Sequence, residues 1–382
     1  MKIHWIIFKL LDKSTDHATE TEMIREIKER GHDIRLSCGW RDRRIYYGMD
    51  DATIDYFDLP RVRKIRGVFY AAAVWRAVLA ALLVEKPDVL LIDYLVNLIT
   101  APILLLHRSF RSKTKIIVDV RTLPVDVRYF EWTVRWFFAS LYVARLHGDG
   151  VTFITEAMRR YCGDHVDMGR LRIGIWTSGF KPAIFDPDRY KKAPAIDAFR
   201  LFYHGGLSLS RGIGSLIRAT KLLQDRGLPV SLTLIGNCVD RDAFLELIEA
   251  YGLQETCRIL APVPYEEVPP LIMDCDLPVI PFPDFIGWRV SSPIKLIEYM
   301  AMGKAMVVTD IAAHRDVLGD ADFVFYSRSS RPESLADAID RAYRRREDLE
   351  MLGQGARPIA QKAYTWARQA ERLLGFLQSV SR

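Results

Sequence analysis

Two cations and a carboxylate stand out by the company they keep. In "SSPIKLIEYMAMGKAMVVTD", residues 291–310, a Ser-Ser-Pro turn opens an apolar helical pattern that carries Lys295 and Glu298. Ser292 reads as the N-cap, Pro293 as the first helical residue and Gly303 as the C-terminal stop. At about 100° per residue, Ser291, Lys295, Glu298 and Met302 share one narrow face. Ile294, Ile297, Met300 and Ala301 supply much of the apolar surface. Backbone N–H groups at a helix start, a positive dipole end and one lysine make an anion site. Glu298, a turn deeper, is placed to accept hydrogen bonds from ribose hydroxyls, as acidic residues do in other nucleotide sites. The same spacing also describes an i,i+3 surface ion pair worth roughly 0.2–0.5 kcal/mol. The local pattern does not choose between them.

A second constellation lies in "FYHGGLSLSRGIGSLIRAT", residues 202–220. A strand runs into Gly205-Gly206, then a polar loop containing Ser208, then Arg211-Gly212 and a helix. Glycines let a backbone approach a ligand closely, and arginine binds phosphate through two parallel hydrogen bonds. The spacing is not G-x-G-x-x-G, so a dinucleotide fingerprint is not supported. An ordinary strand–turn–helix with a surface arginine is the competing reading. Both constellations sit at strand-to-helix turns, where an α/β sheet presents its ligand edge.

The elements that must position these residues alternate along the chain. "KIHWIIF", "DIRLSC", "DVLLIDY", "KIIVDVRT", "GVTFIT" and "LRIGIW" read as strands in the first half. "RLFYHG", "SLTLIGN", "CRILAP", "LPVIPF", "AMVVTD" and "DFVFYS" read as strands in the second. Helical patterns lie between them, among them 68–84 and a stretch near 97–107. Short buried strands separated by helices imply parallel sheets with right-handed crossovers. The 382 residues exceed one compact core. The expected fold class is α/β: two Rossmann-like doubly wound domains facing across a cleft. The domains are expected at 1–185 and 195–361, with a helix at 362–382 returning to the first. Residues 181–200, rich in proline and charge, read as the linker.

The composition narrows the classes. Hydrophobic residues make up 49%, too many for a disordered chain. Five scattered cysteines without a C-x-x-C pair argue against a disulfide framework or a zinc site and fit a reducing cytoplasm. "MKIHWIIFKLLDK" reads as a first strand rather than a signal peptide. No window is expected to reach the ~18–20 uninterrupted apolar residues of a spanning helix, since Arg76 interrupts 67–87. Residues 1–180 carry 28 Lys and Arg against 22 Asp and Glu, and residues 181–382 carry 26 against 26. The excess behind the net charge of +6 therefore lies in the first half, which is expected to meet something anionic. "RVRKIRGVFYAAAVWRAVLAALL" and "RYFEWTVRWFFASLYVARL" set basic residues beside aromatic ones, which suits an anionic membrane interface. Core helices with snorkelling arginines are the alternative. No nucleic-acid module accompanies the charge. The expected location is the cytoplasm, with peripheral binding to the inner face of the cell membrane.

Taken together, the motifs resemble the retaining GT-B glycosyltransferases, in particular the large family 4, over nearly the whole chain. "YHGGLSLSRGIGSLIRAT" is similar to that family's strand, G-R-L-x-x-x-K-G loop and helix. "RILAPVPYEEVPPLIMDCDLPVIPF" and "SSPIKLIEYMAMGKAMVVTD" resemble its later strand and P-x-K-x-x-E-x-M-A-x-G segments. "IWTSGFKPAIFDP" and "YTWARQAERLL" resemble its interdomain loop and closing helix. The resemblance implies that Ser291, Ser292, Pro293, Ile294 and Lys295 bind a donor diphosphate. Arg211 would be the second cation and Glu298 the ribose ligand. It also implies donor contacts at Gly205, Gly206 and Ser208, and a base contact at Val263. On the acceptor side it implies Ser178 and Gly179. His17, in the loop after the first strand, and Asp119 and Arg121, at a strand end, complete that side; a structural Asp–Arg pair and a solvated histidine are the alternatives there. Two positions depart from the pattern. Gly206 stands where the family has an arginine, and Val290 where it has the first glutamate of E-x7-E.

The implied activity is transfer of a sugar from a nucleotide diphosphate, of UDP or GDP type, to a glycan or lipid-linked acceptor in cell-surface polysaccharide or glycoconjugate synthesis. Neither a metal nor another cofactor is expected, since two cations and a helix end can stabilise a leaving nucleotide diphosphate without one. A nucleotide-sugar epimerase of the same fold would need catalytic carboxylates and histidines that the motifs do not supply. A non-catalytic glycosyltransferase-like partner subunit is the third reading, favoured by Gly206 and Val290.

Overall fold

The computed structural model describes residues 1–11, 18–40, 53–60, 62–109, 113–124, 130–191 and 197–382. The chain forms two units, Met1–Thr177 with Trp366–Arg382, and Ser178–Thr365. The boundary falls at Ser178 rather than within residues 181–200. The described start of the segment read as a linker, residues 181–191, is packed into the second unit, where Arg357 donates to Asp186 at 2.6 Å and to Asp188 at 2.9 Å.

The first unit is built on seven parallel strands: β1 (Lys2–Leu10), β2 (Asp33–Trp40), β3 (Ile54–Asp58), β4 (Val89–Asp93), β5 (Lys115–Val120), β6 (Gly150–Phe153) and β7 (Arg172–Ile175). Their order is β3-β2-β1-β4-β5-β6-β7. The central strands are near-continuous apolar runs because helices cover both faces. Helix α1 (Ala18–Glu29) and the C-terminal helix Trp366–Ser381 pack together. Helices α2 (Arg63–Ala80), α3 (Tyr94–Ile99), α4 (Ala101–Ser109), α5 (Phe130–His147) and α6 (Glu156–His165) connect the strands from β3 to β7. These crossovers all advance in one direction, so right-handedness puts their helices on the face opposite α1.

Three local expectations change. β3 departs from the expected strand set, because an edge strand reading "IDYFD" carries too many polar residues to look buried. The helix expected near 97–107 is two helices that meet at Thr100, the first capped by Asp93 accepting from Val96 N–H at 2.7 Å. Against the expectation of no membrane-length helix, Ile65–Glu85 is long and apolar enough to cross a bilayer by length and composition. In the fold it is the β3-to-β4 crossover, α2 continued by a π-helical turn, Ala81–Glu85. Tyr70, Val74, Ala77, Val78, Ala81 and Leu82 are its buried stripe.

The second unit has six parallel strands: β8 (Phe199–His204), β9 (Val230–Ile235), β10 (Cys257–Leu260), β11 (Leu277–Ile280), β12 (Met306–Thr309) and β13 (Val324–Ser327). Their order is β10-β9-β8-β11-β12-β13. The winding reverses between β8 and β11, which opens a crevice at the carboxyl ends of those strands. Helices α7 (Ile213–Asp225), α8 (Arg241–Ala250), α9 (Val268–Asp274), α10 (Ile286–Arg289) and α11 (Ile294–Ala301) follow in turn. Gly212, at φ +77°, starts α7; a Cβ there would stand 2.0 Å from the Pro281 carbonyl oxygen, so only glycine lets α7 begin this close to β11.

Candidate functional site

The crevice gathers most of the donor-side candidates. β8 ends in His204, and Gly205 at φ +113° turns the chain toward α7. A 3₁₀ turn, Leu209–Arg211, carries Arg211 back over the crevice. It is held by Trp288 Nε1–H donating to Ser210 O at 3.0 Å and by Leu209 N–H donating to Asp240 at 2.7 Å. The hydroxyls of Ser208 and Ser210 are 2.9 Å apart within the same loop.

Helix α11 enters from the other side, with a cap that differs from the expected one. Pro293, at φ −71° and ψ 115°, is the N-cap, and no side chain caps the helix. Ser292 is used elsewhere: its carbonyl accepts from Ser178 Oγ–H at 2.8 Å. Ser291 Oγ–H donates to Trp288 O at 2.9 Å. Ser178 and the neighbouring Gly179 therefore belong to the second unit, and Ser178 braces the Ser-Ser-Pro turn. Gly303, at φ +64°, follows the helix as expected.

Lys295 is 8% exposed and Glu298 3% exposed, so the surface-pair reading fails. Lys295 Nζ lies 5.2 Å from the ring centroids of both Tyr203 and Phe282. Arg211 Cζ lies 5.7 Å from the Phe282 ring and 4.7 Å from that of Trp288. One aromatic ring thus has both cations near it, and cation–π attraction holds two like charges in one crevice. The Gly-Gly turn leaves room for them. A Cβ on Gly205 would stand 3.2 Å from Lys295 Nζ, and one on Gly206 3.2 Å from Arg211 Nε. Burial pushes the Tyr203 phenol up to about 12, so it stays neutral beside them.

Glu298 is oriented by a residue that the sequence motifs do not single out. His204 Nε2 is 2.7 Å from Glu298 Oε2, and its Nδ1 is 3.0 Å from the Tyr299 hydroxyl. The backbone N–H of His204 donates to that hydroxyl oxygen at 3.3 Å. The two contacts fix the orientation of the ring, with Nε2 toward Glu298 and Nδ1 toward the Tyr299 hydroxyl. One carboxylate oxygen of Glu298, Oε2, is thereby committed. Phe282, Trp288 and His314 are further residues that sequence reasoning misses. His314 is fully buried; its Nδ1–H donates to Thr309 O at 2.7 Å, and its Nε2 has no partner. Burial first, and the charge of Lys295 among the lesser causes, hold its pKa down to about 4. The visible signal for His204 is its place directly before Gly205-Gly206; nothing local marks Phe282 or His314.

The remaining candidates are scattered. Val263 is half-buried in the loop after β10, at the same edge of the sheet, and Ile294 is half-buried at the start of α11. Val290, 3% exposed, puts an apolar side chain where the resemblance expected a carboxylate. Asp119, at the end of β5 in the first unit, is sealed: its Oδ1 accepts from Thr152 Oγ at 2.6 Å and from Trp176 Nε1 at 3.0 Å. Burial raises its pKa to about 6, against the opposing pull of Arg121. Arg121 stacks on Trp176 at 3.5 Å and donates to its carbonyl at 2.7 Å. These contacts fit the structural Asp–Arg reading better than an acceptor ligand. His17 lies outside the described residues.

A cavity of about 1130 Å³ opens at the opposite end of the second sheet, but its chemistry is spent internally. Arg200 donates three hydrogen bonds to Asp276, one from its backbone and two from its guanidinium, and Lys304 donates to the Met273 and Cys275 carbonyls. Among the described residues, no group of three or more His, Cys, Asp or Glu is placed to hold a metal ion.

Two doubly wound parallel sheets, with the C-terminal helix returned to the first, define the GT-B glycosyltransferase fold. Residues 186–358, nearly all of the second unit, match the family model described as Glycosyl transferases group 1. Sucrose-phosphate synthase from Thermosynechococcus elongatus superposes with a TM-score of 0.79 at 13% identity, covering 100% of this chain and 99% of that one. The Anabaena protein HepE, in a structure with UDP and glucose, gives 0.74 at 16% identity, covering 99% and 100%. An alpha-D-kanosaminyltransferase from Streptomyces kanamyceticus is 23% identical over 180 residues. That alignment spans 47% of this chain and 45% of the relative, so this chain matches about half of its length.

Proposed function

We propose that the protein is a glycosyltransferase that takes a sugar from a nucleotide-diphosphate sugar with retention of configuration. The observation that carries this reading is the convergence of Lys295, Arg211 and the His204-held Glu298 on one crevice of the second unit. Two cations are placed to neutralise a leaving diphosphate without a metal. Glu298 accepts from a ribose hydroxyl. The bond from the sugar's anomeric carbon to the phosphate oxygen breaks as the acceptor oxygen bonds the same face. The proton of the acceptor hydroxyl passes to the departing phosphate oxygen, so no enzyme nucleophile is required. A glycan or lipid-linked acceptor, in cell-surface polysaccharide or glycoconjugate synthesis, is the class this reading favours. The HepE structure with UDP and glucose supports a uridine donor as the first to try.

Val290 favours a second reading, a nucleotide-binding partner subunit without transfer activity, because it removes a polar contact to the donor sugar. Thermal unfolding with UDP, GDP and ADP and their sugars tests the site. A ligand at ~100 times its dissociation constant stabilises by about 2.7 kcal/mol, which raises the midpoint by roughly 2–4 °C per kcal/mol for a domain of this size. The expected result is a shift with one base, abolished in Glu298→Ala. Absence of any shift sinks the donor-site assignment. A shift with no release of free nucleotide from any nucleotide sugar, across candidate acceptors, favours the partner subunit.

A further inference from the structure

The first unit presents an apolar face that its own fold does not use. α2 packs one stripe inward, which is all a crossover helix needs. The outer stripe of α2 and its π-helical extension is apolar as well, with Val68 71% and Leu83 65% exposed and Phe69 exposed beside Val68. α4 and α5 belong to the same helical layer and continue the pattern. Leu106 is exposed on α4, and Trp132, 65% exposed, meets Trp136 edge-to-face at 5.9 Å on α5. Among the described residues, every exposed large apolar side chain of this unit except Ile173 falls between Val62 and Leu146. Patches of this breadth on a folded protein mark an interaction surface.

The charge on this layer selects the occupant. α2 contains four basic residues and no acidic one. Arg76 and Arg135 are exposed and pair with no carboxylate among the described residues. Glu131 is the one acidic residue of α5. Two copies of the face laid against each other would oppose arginine to arginine. An anionic lipid surface accepts the arginines at its headgroups and the tryptophans and aliphatic side chains below them. We propose that the outer face of α2, α4 and α5 is the surface by which this protein lies on an anionic phospholipid bilayer. The helices lie along the interface rather than crossing it, since the inner stripe of α2 stays packed on its sheet. The inference is independent of the glycosyl-transfer reading.

Flotation of the full chain with phosphatidylcholine vesicles, with and without 30% phosphatidylglycerol, tests it. Binding is expected to the anionic vesicles and not to the neutral ones, with loss at high salt. Arg76→Glu with Arg135→Glu is expected to lower the partition by about tenfold or more. Trp132→Ala with Trp136→Ala is expected to lower it comparably. An unchanged circular dichroism spectrum and an unchanged pattern of limited proteolysis across residues 1–177 in both variants control for folding of the substituted unit. No binding of the wild type to anionic vesicles at 0.15 M salt overturns the proposal. So does wild-type binding that both double variants leave intact. A stable dimer that the tryptophan substitutions dissociate also overturns it, because the face would then be a protein interface.

Discussion

His204 sets what Glu298 can offer. With Oε2 taken by the imidazole at 2.7 Å, the carboxylate is held in a fixed direction. Removing the ring frees the carboxylate to rotate and leaves a buried oxygen without its partner. His204→Ala is expected to weaken binding of the cognate nucleoside diphosphate by roughly tenfold, about 1.4 kcal/mol. Its 2′,3′-dideoxy analogue, which lacks the hydroxyls that Glu298 would receive, is expected to bind wild type and variant alike. His204→Gln, which keeps an N–H donor, is expected to recover part of the loss. Titration calorimetry with the two nucleotides reads the difference. Equal losses for both would assign His204 a purely structural role. Lys295 tolerates burial for a related reason: the Tyr203 and Phe282 rings replace part of its lost hydration.

At the scale of elements, the crevice depends on how closely α7 can start beside β11. Gly212 is the point of contact. Gly227, at φ +82° with open space where a Cβ would stand, is its natural control. Gly227→Ala carries only the backbone strain, more than about 1 kcal/mol. Gly212→Ala carries that strain and the overlap with the Pro281 carbonyl as well. Urea unfolding is expected to show a clearly larger loss for Gly212→Ala; equal losses would mean that α7 moves away without penalty. The same scale shows what is legible in the sequence. Strands and crossovers are readable because buried parallel strands are apolar without interruption. Lys295, Glu298 and Arg211 are readable because charge inside such patterns needs a reason. β3 is not, since Asp55 and Asp58 break up a five-residue strand whose buried residues are Ile54 and Phe57. The cap of α11 departs from its local pattern because Ser292 is claimed by Ser178, 114 positions earlier. Long-range pairings of that kind, like Phe282 between two cations, leave no local trace.

Across the whole molecule, the first unit is completed by residues from the far end of the chain. Trp366, Leu373 and Leu377 of the C-terminal helix are buried, each contributing roughly 1.5–3 kcal/mol of burial against a typical net stability of about 5–15 kcal/mol. Deleting residues 366–382 is expected to unfold the first unit while the second survives. Limited proteolysis should then leave a resistant core within Ser178–Thr365; a first unit that stays equally resistant would show that the helix is dispensable. The arrangement also fixes an order of events at the ribosome. Strands β1 to β7 leave the exit tunnel first, yet their covering helix is made last, after the whole of Ser178–Thr365. At about 5–20 residues per second, that wait is on the order of ten to forty seconds. Through that interval the early half offers chaperones an uncovered sheet face, while the later half can already close.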